Sequence, residues 1–232
     1  MELTREEFLS RLDHSLLKPQ LTLEEIVAGL EYAAEVQAKA VCVSPHRLKQ
    51  AKDVLQGTEV IIGTVAAFPS GAHDTRVKVF ETQTCFEMGA TEVDMVIDIG
   101  AMRSGREDLV LEDIRAVVEA SPADVKVILE TAYLTDEQIV RGAELVSEAG
   151  AAFVKTSTGF APTGATPQNI ALLRKGAAPG VQVKAAGGLQ TLAQVAAVVE
   201  AGADRFGVSR TKEILAEMVD RNCFTDPEQT VP

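Results

Sequence analysis

Two lysines at the ends of apolar segments are the residues of this chain best suited to covalent chemistry. Lys155 ends the apolar part of GAAFVKTSTGF (150–160), and Lys184 has the matching place in VQVKAAGGL (181–189). An ammonium group is costly to bury, and the usual relief is a lowered pKa that leaves some neutral, nucleophilic amine. Such a lysine can form a Schiff base with a carbonyl compound. If the two lysines are neighbours, one can be neutral while the other keeps its proton.

The segments that carry these lysines are predicted to be buried parallel strands. Their apolar residues do not alternate with polar ones, which is typical of a strand covered on both faces. Side chains alternate in direction along a strand, so Phe153, Lys155 and Ser157 should share the inner face. Either lysine alone could equally be a strand-end residue whose ammonium group reaches water. The matched positions of the two favour a chemical role.

An acidic residue is predicted to lie near the lysines. In EVDMVIDIG (92–100), predicted to be a strand throughout, the alternate residues share one face: Glu92, Asp94, Val96 and Asp98. A carboxylate is therefore expected on the interior of the sheet. Beside two lysines it could transfer protons or serve as a structural counter-ion, and the strand pattern leaves both open.

Small, glycine-containing turns follow the last three predicted strands, in TSTGF (156–160), AAGGL (185–189) and FGVS (206–209). Gly187 and Gly188 would let the backbone approach a ligand closely. Ser209 lies near the start of the last predicted helix, where free N–H groups favour an anion. Each glycine alone could be an ordinary turn residue, but their shared position after consecutive strands indicates a phosphate site.

Eight strand segments alternate with helical patterns, which predicts one (β/α)8 barrel domain over residues 1–221. A short helix (3–9) should precede the barrel, and a loose tail (222–232) should follow it. The alternative is a doubly wound open sheet, but the first segment, LDHSLLKP (12–19), has no glycine-rich nucleotide turn after it. Catalytic residues of a barrel lie at the C-terminal ends of its strands, where both lysines fall.

Composition excludes several classes of protein. The chain has 232 residues, a formal net charge of -12 and no basic cluster, which argues against nucleic-acid binding. No apolar run is long enough to cross a membrane, and the acidic start MELTREEF is unlike a secretion signal, so we expect a cytoplasmic protein. The three cysteines and three histidines show no disulfide or metal-ligand spacing.

Taken together, the motifs resemble the deoxyribose-phosphate aldolase family of class I, Schiff-base enzymes. The resemblance covers almost the whole chain and includes LDHSLLKP, VCVSP, TVAAFPSG, GATEVDMVIDIGA, KVILET, FVKTSTGF, VKAAGGL and RFGVS, in the family's order. It implies a lyase of carbohydrate and deoxyribonucleotide catabolism. The implied reaction is reversible cleavage of 2-deoxy-D-ribose 5-phosphate to D-glyceraldehyde 3-phosphate and acetaldehyde, with no metal and no cofactor.

The resemblance also implies roles for individual residues. By position in the family's motifs, Lys155 matches the Schiff-base lysine, Lys184 the second lysine that perturbs it, and Asp94 the acid/base aspartate. The positions that match pocket and phosphate-loop residues are Asp13, Cys42, Lys126, Thr158, Gly159, Gly187, Gly188, Gly207 and Ser209. The chain departs from some members at Phe160, where they have lysine, and at Arg210, where they have a second serine.

Two other functions fit the same residues. One is a Schiff-base aldolase for a different sugar phosphate, which a substrate panel would separate. The other is a non-catalytic barrel that binds a sugar phosphate and uses its lysines for charge only. Barrels of this kind commonly associate, so a homo-oligomer, either a dimer or a tetramer, is a further expectation.

Overall fold

The computed structural model describes residues 3–223, with side chains described as far as residue 218. Eight parallel strands form a closed barrel in sequence order, and the last strand pairs with the first. The strands are β1 Leu12–Leu16, β2 Ala40–Val43, β3 Ile61–Ala66, β4 Glu92–Val96, β5 Val125–Ile128, β6 Phe153–Lys155, β7 Gln182–Ala186 and β8 Arg205–Val208. The predicted (β/α)8 architecture is therefore confirmed.

The helices form a layer around the barrel. They are α1 Arg5–Ser10, α2 Leu23–Glu35, α3 Leu48–Val54, α4 Thr75–Glu87, α5 Ile99–Arg103, α6 Glu107–Ala120, α7 Asp136–Glu148, α8 Pro167–Gly176, α9 Leu192–Glu200 and α10 Thr211–Cys223. Short 3₁₀ turns occur at Pro45–Arg47 and Thr131–Tyr133. Within the part that the structure describes, no helix is long and apolar enough to cross a membrane.

Local sequence explains where these helices begin. Thr4 and Thr22 each accept the backbone N–H of the glutamate three residues later, and that glutamate bonds back to the threonine N–H. Two N–H groups that a helix start leaves unpaired are satisfied by each such capping box. The predicted N-terminal helix is present as α1.

The hydrophobic core lies between the strands and the helices. Outward-facing strand residues such as Val93 and Val183 are fully buried and belong to the same hydrophobic cluster as helix residues such as Leu30 and Ile114. Burying one such aliphatic side chain stabilises the fold by roughly 1.5–3 kcal/mol. The stability of the barrel therefore comes largely from this outer layer, which leaves the inward-facing positions free to carry charged side chains.

Two predicted boundaries differ from the structure. Strand β4 ends at Val96 rather than Gly100, because the Asp98 side chain accepts the N–H of Ala101 at 2.9 Å and begins the short helix α5. Asp98 is consequently exposed instead of facing the barrel interior. The predicted loose tail begins inside α10, which continues to Cys223, and residues 224–232 lie outside the described residues.

Candidate active site

Lys155 and Lys184 lie side by side inside the barrel. Lys155 is the last residue of β6 and is in register with Lys184 in the middle of β7. Both side chains are almost fully buried, with 4% and 1% of their surface exposed. Parallel strands bring residues of equal register together, so the repeated sequence pattern correctly predicted two neighbouring lysines.

Asp94 of β4 joins the two lysines. Its Oδ2 atom accepts hydrogen bonds from the Nζ of Lys155 at 2.6 Å and from the Nζ of Lys184 at 2.7 Å. Asp94 itself does not line the cleft described below, whereas both lysines do. The carboxylate can therefore act on a bound molecule through the lysines or through a water.

Further charges extend this centre into one buried cluster. Asp13 of β1 lies 2.5 Å from the Nζ of Lys184 and accepts a hydrogen bond from the Arg205 Nε of β8 at 2.9 Å. Ion pairs thus link four cations, Lys126, Lys155, Lys184 and Arg205, with three carboxylates, Asp13, Glu92 and Asp94. Buried charges are stable only when they are paired, so the cluster balances when one lysine is neutral.

The pKa shifts of the two lysines in the cleft indicate which of them is more easily neutral. Burial lowers the pKa of Lys155, helped by the charge of Lys184 and opposed by Asp94, and the net direction is downward. Burial also acts to lower the pKa of Lys184, but Asp13 and Asp94 together outweigh it and raise that pKa. Among the described residues, Lys155 has an ion pair with Asp94 alone. Lys155 is therefore the lysine most readily deprotonated.

The two aspartates remain ionised beside these cations. Burial acts to raise both pKa values, but Lys155 and Lys184 hold the pKa of Asp94 well below its usual range. Lys184 and Arg205 likewise lower the pKa of Asp13 to about 2. Asp94 is thus ionised in the resting site at neutral pH, where it helps to keep Lys184 protonated and is free to accept a proton during a reaction.

Lys126 does not reach the cleft in which sequence reasoning placed it. On β5 it is in register with Asp94 and with Phe153, two residues before Lys155, so it lies one layer deeper in the barrel. It is fully buried and donates a short hydrogen bond to Glu92. Lys126 therefore supports the charge cluster from below and is not placed to touch a ligand.

A small cleft opens above the two lysines at the C-terminal end of the barrel, with a volume of about 130 Å³. Its lining includes all the other predicted pocket and phosphate-loop residues: Asp13, Cys42, Thr158, Gly159, Gly187, Gly188, Gly207 and Ser209. Burial raises the pKa of the Cys42 thiol to about 11. That residue is therefore an uncharged wall of the cleft rather than a nucleophile.

The glycines on one side of the cleft allow backbone segments to pack closely. Gly187 has a φ of +83°, a conformation that suits glycine, and a Cβ there would lie 3.2 Å from the Cα atoms of Gly159 and Gly164. A Cβ on Gly164 would lie 2.1 Å from the Gly187 carbonyl oxygen. Sequence reasoning missed Gly164, which comes well after the strand and carries no motif of its own.

Polar and aromatic residues complete the mouth of the cleft. Phe160 lines it and stacks edge-to-face on Phe68, with ring centroids 5.4 Å apart. Lys18, which sequence reasoning did not select, also lines it. Arg210 is not part of the lining, because it pairs with Glu213 on the exposed surface at 3.3 Å.

Glu130 is a second residue that sequence reasoning missed. It follows β5, is 2% exposed, and its carboxylate accepts hydrogen bonds from both the hydroxyl and the backbone N–H of Thr158. Burial raises the pKa of Glu130, and the bonds from Thr158 and the charge of Lys155 oppose that rise. Its acidic side chain follows an apolar strand, a signal that could have identified it.

The described side chains of this centre are not arranged to coordinate a metal ion. Over the residues that the structure describes, no group of three or more His, Cys, Asp and Glu side chains is arranged to hold a metal ion. The carboxylates at the two lysines are instead used in ion pairs with cationic side chains.

Comparison with known proteins agrees with this arrangement. Residues 7–217 match the model of the DeoC/LacD family of aldolases. The chain is 47% identical over 205 residues to the deoxyribose-phosphate aldolase of Macrococcus caseolyticus (strain JCSC5402), covering 88% of this chain and 93% of that protein. It is 48% identical over 203 residues to the deoxyribose-phosphate aldolase of Thermococcus gammatolerans, covering 85% and 90%.

A solved structure of a deoxyribose phosphate aldolase is also similar to this chain. The deoxyribose phosphate aldolase from Aeropyrum pernix, described as a tetramer, superposes with a TM-score of 0.87 at 30% identity, covering 94% of this chain and 93% of that chain. The resemblance deduced from the sequence motifs is confirmed. This chain belongs to the DeoC/LacD family of aldolases.

Proposed function

We propose that this protein is a class I aldolase that reversibly cleaves 2-deoxy-D-ribose 5-phosphate to D-glyceraldehyde 3-phosphate and acetaldehyde. The observation that carries the proposal is the pairing of a readily deprotonated Lys155 with a protonated Lys184 on one carboxylate, at the floor of a cleft. The family relationship and the names of the relatives support the choice of substrate.

Lys155 is assigned as the nucleophile. Its neutral Nζ attacks the C1 aldehyde of the open-chain sugar, and loss of water gives a cationic iminium on Lys155. The iminium carries the same positive charge as a protonated Lys155. It therefore places in the buried cluster a cation that the neutral amine lacks. Asp94, 2.6 Å from that nitrogen, stabilises the new cation directly.

Cleavage of the C2–C3 bond follows. The electron pair of that bond moves toward the iminium and leaves an enamine, while the proton of the 3-hydroxyl is removed and C3 becomes the aldehyde of glyceraldehyde 3-phosphate. We assign the proton to the ionised Asp94, which receives it through a water beside the protonated Lys184, 2.7 Å away, and which returns a proton by the same route to C2 of the enamine. Protonation of the enamine at C2 and hydrolysis of the iminium then release acetaldehyde and restore Lys155.

The phosphate is assigned to the glycine-lined side of the cleft. Gly159 and Gly187 pack against each other there, and Gly188 and Ser209 also line the cleft. Gly187 and Gly188 have positive φ values of +83° and +75°, a backbone conformation that suits glycine, and without side chains they let an anion approach the backbone closely. Lys18, on the same lining, supplies a nearby positive charge.

The test is a steady-state assay of deoxyribose 5-phosphate cleavage, together with a panel of other sugar phosphates. Lys155→Met should lower kcat/KM by at least about 1,000-fold, because the covalent route is lost. Lys39→Met, at an exposed position outside the cleft, is the matched control and should match the wild type. Efficient cleavage of another sugar phosphate alone would reassign the substrate. Phosphate binding without any cleavage would identify a non-catalytic binding barrel.

The organisation around this site is also proposed. Residues 1–221 form one catalytic domain, the protein is cytoplasmic, and copies of the chain associate as a dimer or tetramer. The tetrameric relative from Aeropyrum pernix supports association, as do the exposed apolar residues Val77 and Phe80 on α4. Light scattering coupled to gel filtration tests the oligomeric state, and cell fractionation tests the location.

A further inference from the structure

Glu130 holds Thr158 by three contacts. Both carboxylate oxygens lie 3.3 Å from the Thr158 backbone nitrogen, and Oε2 also accepts a short hydrogen bond from the Thr158 hydroxyl. No cation of the described residues forms an ion pair with Glu130 within 4.0 Å. Among the described residues, the hydrogen bonds that this buried carboxylate accepts all come from Thr158.

The backbone at Glu130 is also unusual. Its φ of +55° and ψ of 65° fall in the left-handed region, which residues other than glycine adopt uncommonly. Such a conformation persists only when the surroundings fix it, and it often occurs at functional sites. Here it turns the carboxylate from the end of β5 toward the loop that follows β6, where Thr158 lies.

These contacts leave the Thr158 hydroxyl with one lone pair that is free to accept a hydrogen bond. A hydroxyl has one proton and two lone pairs. The proton goes to Glu130, and one lone pair accepts the backbone N–H of Phe160 at 3.0 Å. The remaining lone pair is the only one available to the cleft that Thr158 lines.

We propose that Glu130 is a positioning residue that fixes the Thr158 hydroxyl as a hydrogen-bond acceptor for a hydroxyl group of the sugar substrate. This inference depends on the proposed aldolase function, because it concerns how that substrate is oriented. Thr158 lies three residues after Lys155 and directly before Gly159, between the nucleophile and the proposed phosphate loop. The hydroxyl-bearing carbons of deoxyribose 5-phosphate must occupy this interval.

The experiment measures the rate of reductive trapping at Lys155 with two aldehydes. Deoxyribose 5-phosphate has hydroxyl groups that Thr158 could bind, whereas acetaldehyde has none. In E130Q the amide can donate to Thr158 as well as accept, so the direction of the hydroxyl is no longer fixed. We expect E130Q and T158V to trap the sugar phosphate about 3- to 10-fold more slowly. Both should trap acetaldehyde within about twofold of the wild type. T158S keeps the hydroxyl and should behave as the wild type.

A matched control and a double variant sharpen the result. Glu217 is also partly buried and accepts a backbone N–H, from Leu192 at 2.9 Å, but does not line the cleft, so E217Q should change neither rate. Because Glu130 acts through Thr158, adding E130Q to T158V should cause no further loss with the sugar phosphate. A loss that multiplies in full would overturn the inference.

Other outcomes are equally decisive. Equal losses with acetaldehyde and with the sugar phosphate would show general damage to the site, and an E130Q variant equal to E217Q would show that the carboxylate has no role. If E130Q does not fold, T158V decides: unchanged trapping of the sugar phosphate overturns the inference. Failure of the proposed function is separate, because the wild type would then not cleave deoxyribose 5-phosphate at all, and both proposals would fall.

Discussion

Asp94→Asn removes one charge from the centre of the buried cluster while keeping the size of the side chain. Asp94 is 1% exposed, and its oxygens lie 2.6 Å from Lys155, 2.7 Å from Lys184 and 3.4 Å from Lys126. With Lys155 neutral, the substitution leaves three cations of the cluster, Lys126, Lys184 and Arg205, facing the two carboxylates of Asp13 and Glu92. Breaking a buried ion pair at one partner costs about 3–5 kcal/mol. We expect the free energy of unfolding to fall by that amount at pH 7.

Urea denaturation, read as the midpoint and the m-value, measures this change. Asp98→Asn is the control, because Asp98 is exposed and asparagine caps a helix about as well as aspartate, so its effect should stay within about 0.5 kcal/mol. The reasoning is refuted if Asp94→Asn lies within about 1 kcal/mol of that control. The same variant should lose about 100- to 10,000-fold in kcat, because it can no longer take part in proton transfer.

Two further substitutions test the electrostatics and the loop packing. Lys184→Met removes a cation that lowers the pKa of Lys155 and leaves Lys155 as the only lysine bonded to the Asp94 Oδ2 atom among the described residues, so that pKa should rise. The rise of cyanoborohydride trapping of acetaldehyde with pH should then move to higher pH, and an unmoved profile would contradict the assigned coupling. Gly164→Ala places a Cβ 2.1 Å from the Gly187 carbonyl, so it should displace the proposed phosphate loop. Calorimetric titration with inorganic phosphate should show at least about tenfold weaker binding, equivalent to about 1.4 kcal/mol; unchanged affinity would exclude that loop.

The sequence was enough to predict the barrel and its central lysines. Strand and helix patterns alternate clearly, and equal positions in consecutive parallel strands become neighbours in space. The juxtaposition of Lys155 and Lys184 follows from that rule. Asp94 lies two strands from Lys155 and reaches both lysines by its side chain, inside the barrel. Their neighbours in the cleft came instead from the family resemblance, because single glycines and threonines carry little signal.

The remaining features depend on registers and turns that the sequence does not specify. Lys126 lies one layer below the cleft because its strand pairs it with Asp94 and Phe153. Arg205 joins Asp13 across the junction of the first and last strands, a contact 192 residues apart in the chain. Glu130 reaches Thr158 only through its left-handed backbone. Such contacts arise from barrel closure and local backbone geometry. A sequence pattern can mark a residue such as Glu130 as a candidate, but it does not specify the residue that it contacts.

The most direct test of the central claim is the mass of the intact protein after incubation with deoxyribose 5-phosphate and borohydride, followed by peptide mapping. Lys155 has a lowered pKa and an ion pair with Asp94, and it lines the cleft. We therefore predict a single reduced adduct on the peptide that contains Lys155. An adduct on Lys184 would reverse the roles of the two lysines, and the absence of any adduct would contradict the Schiff-base mechanism.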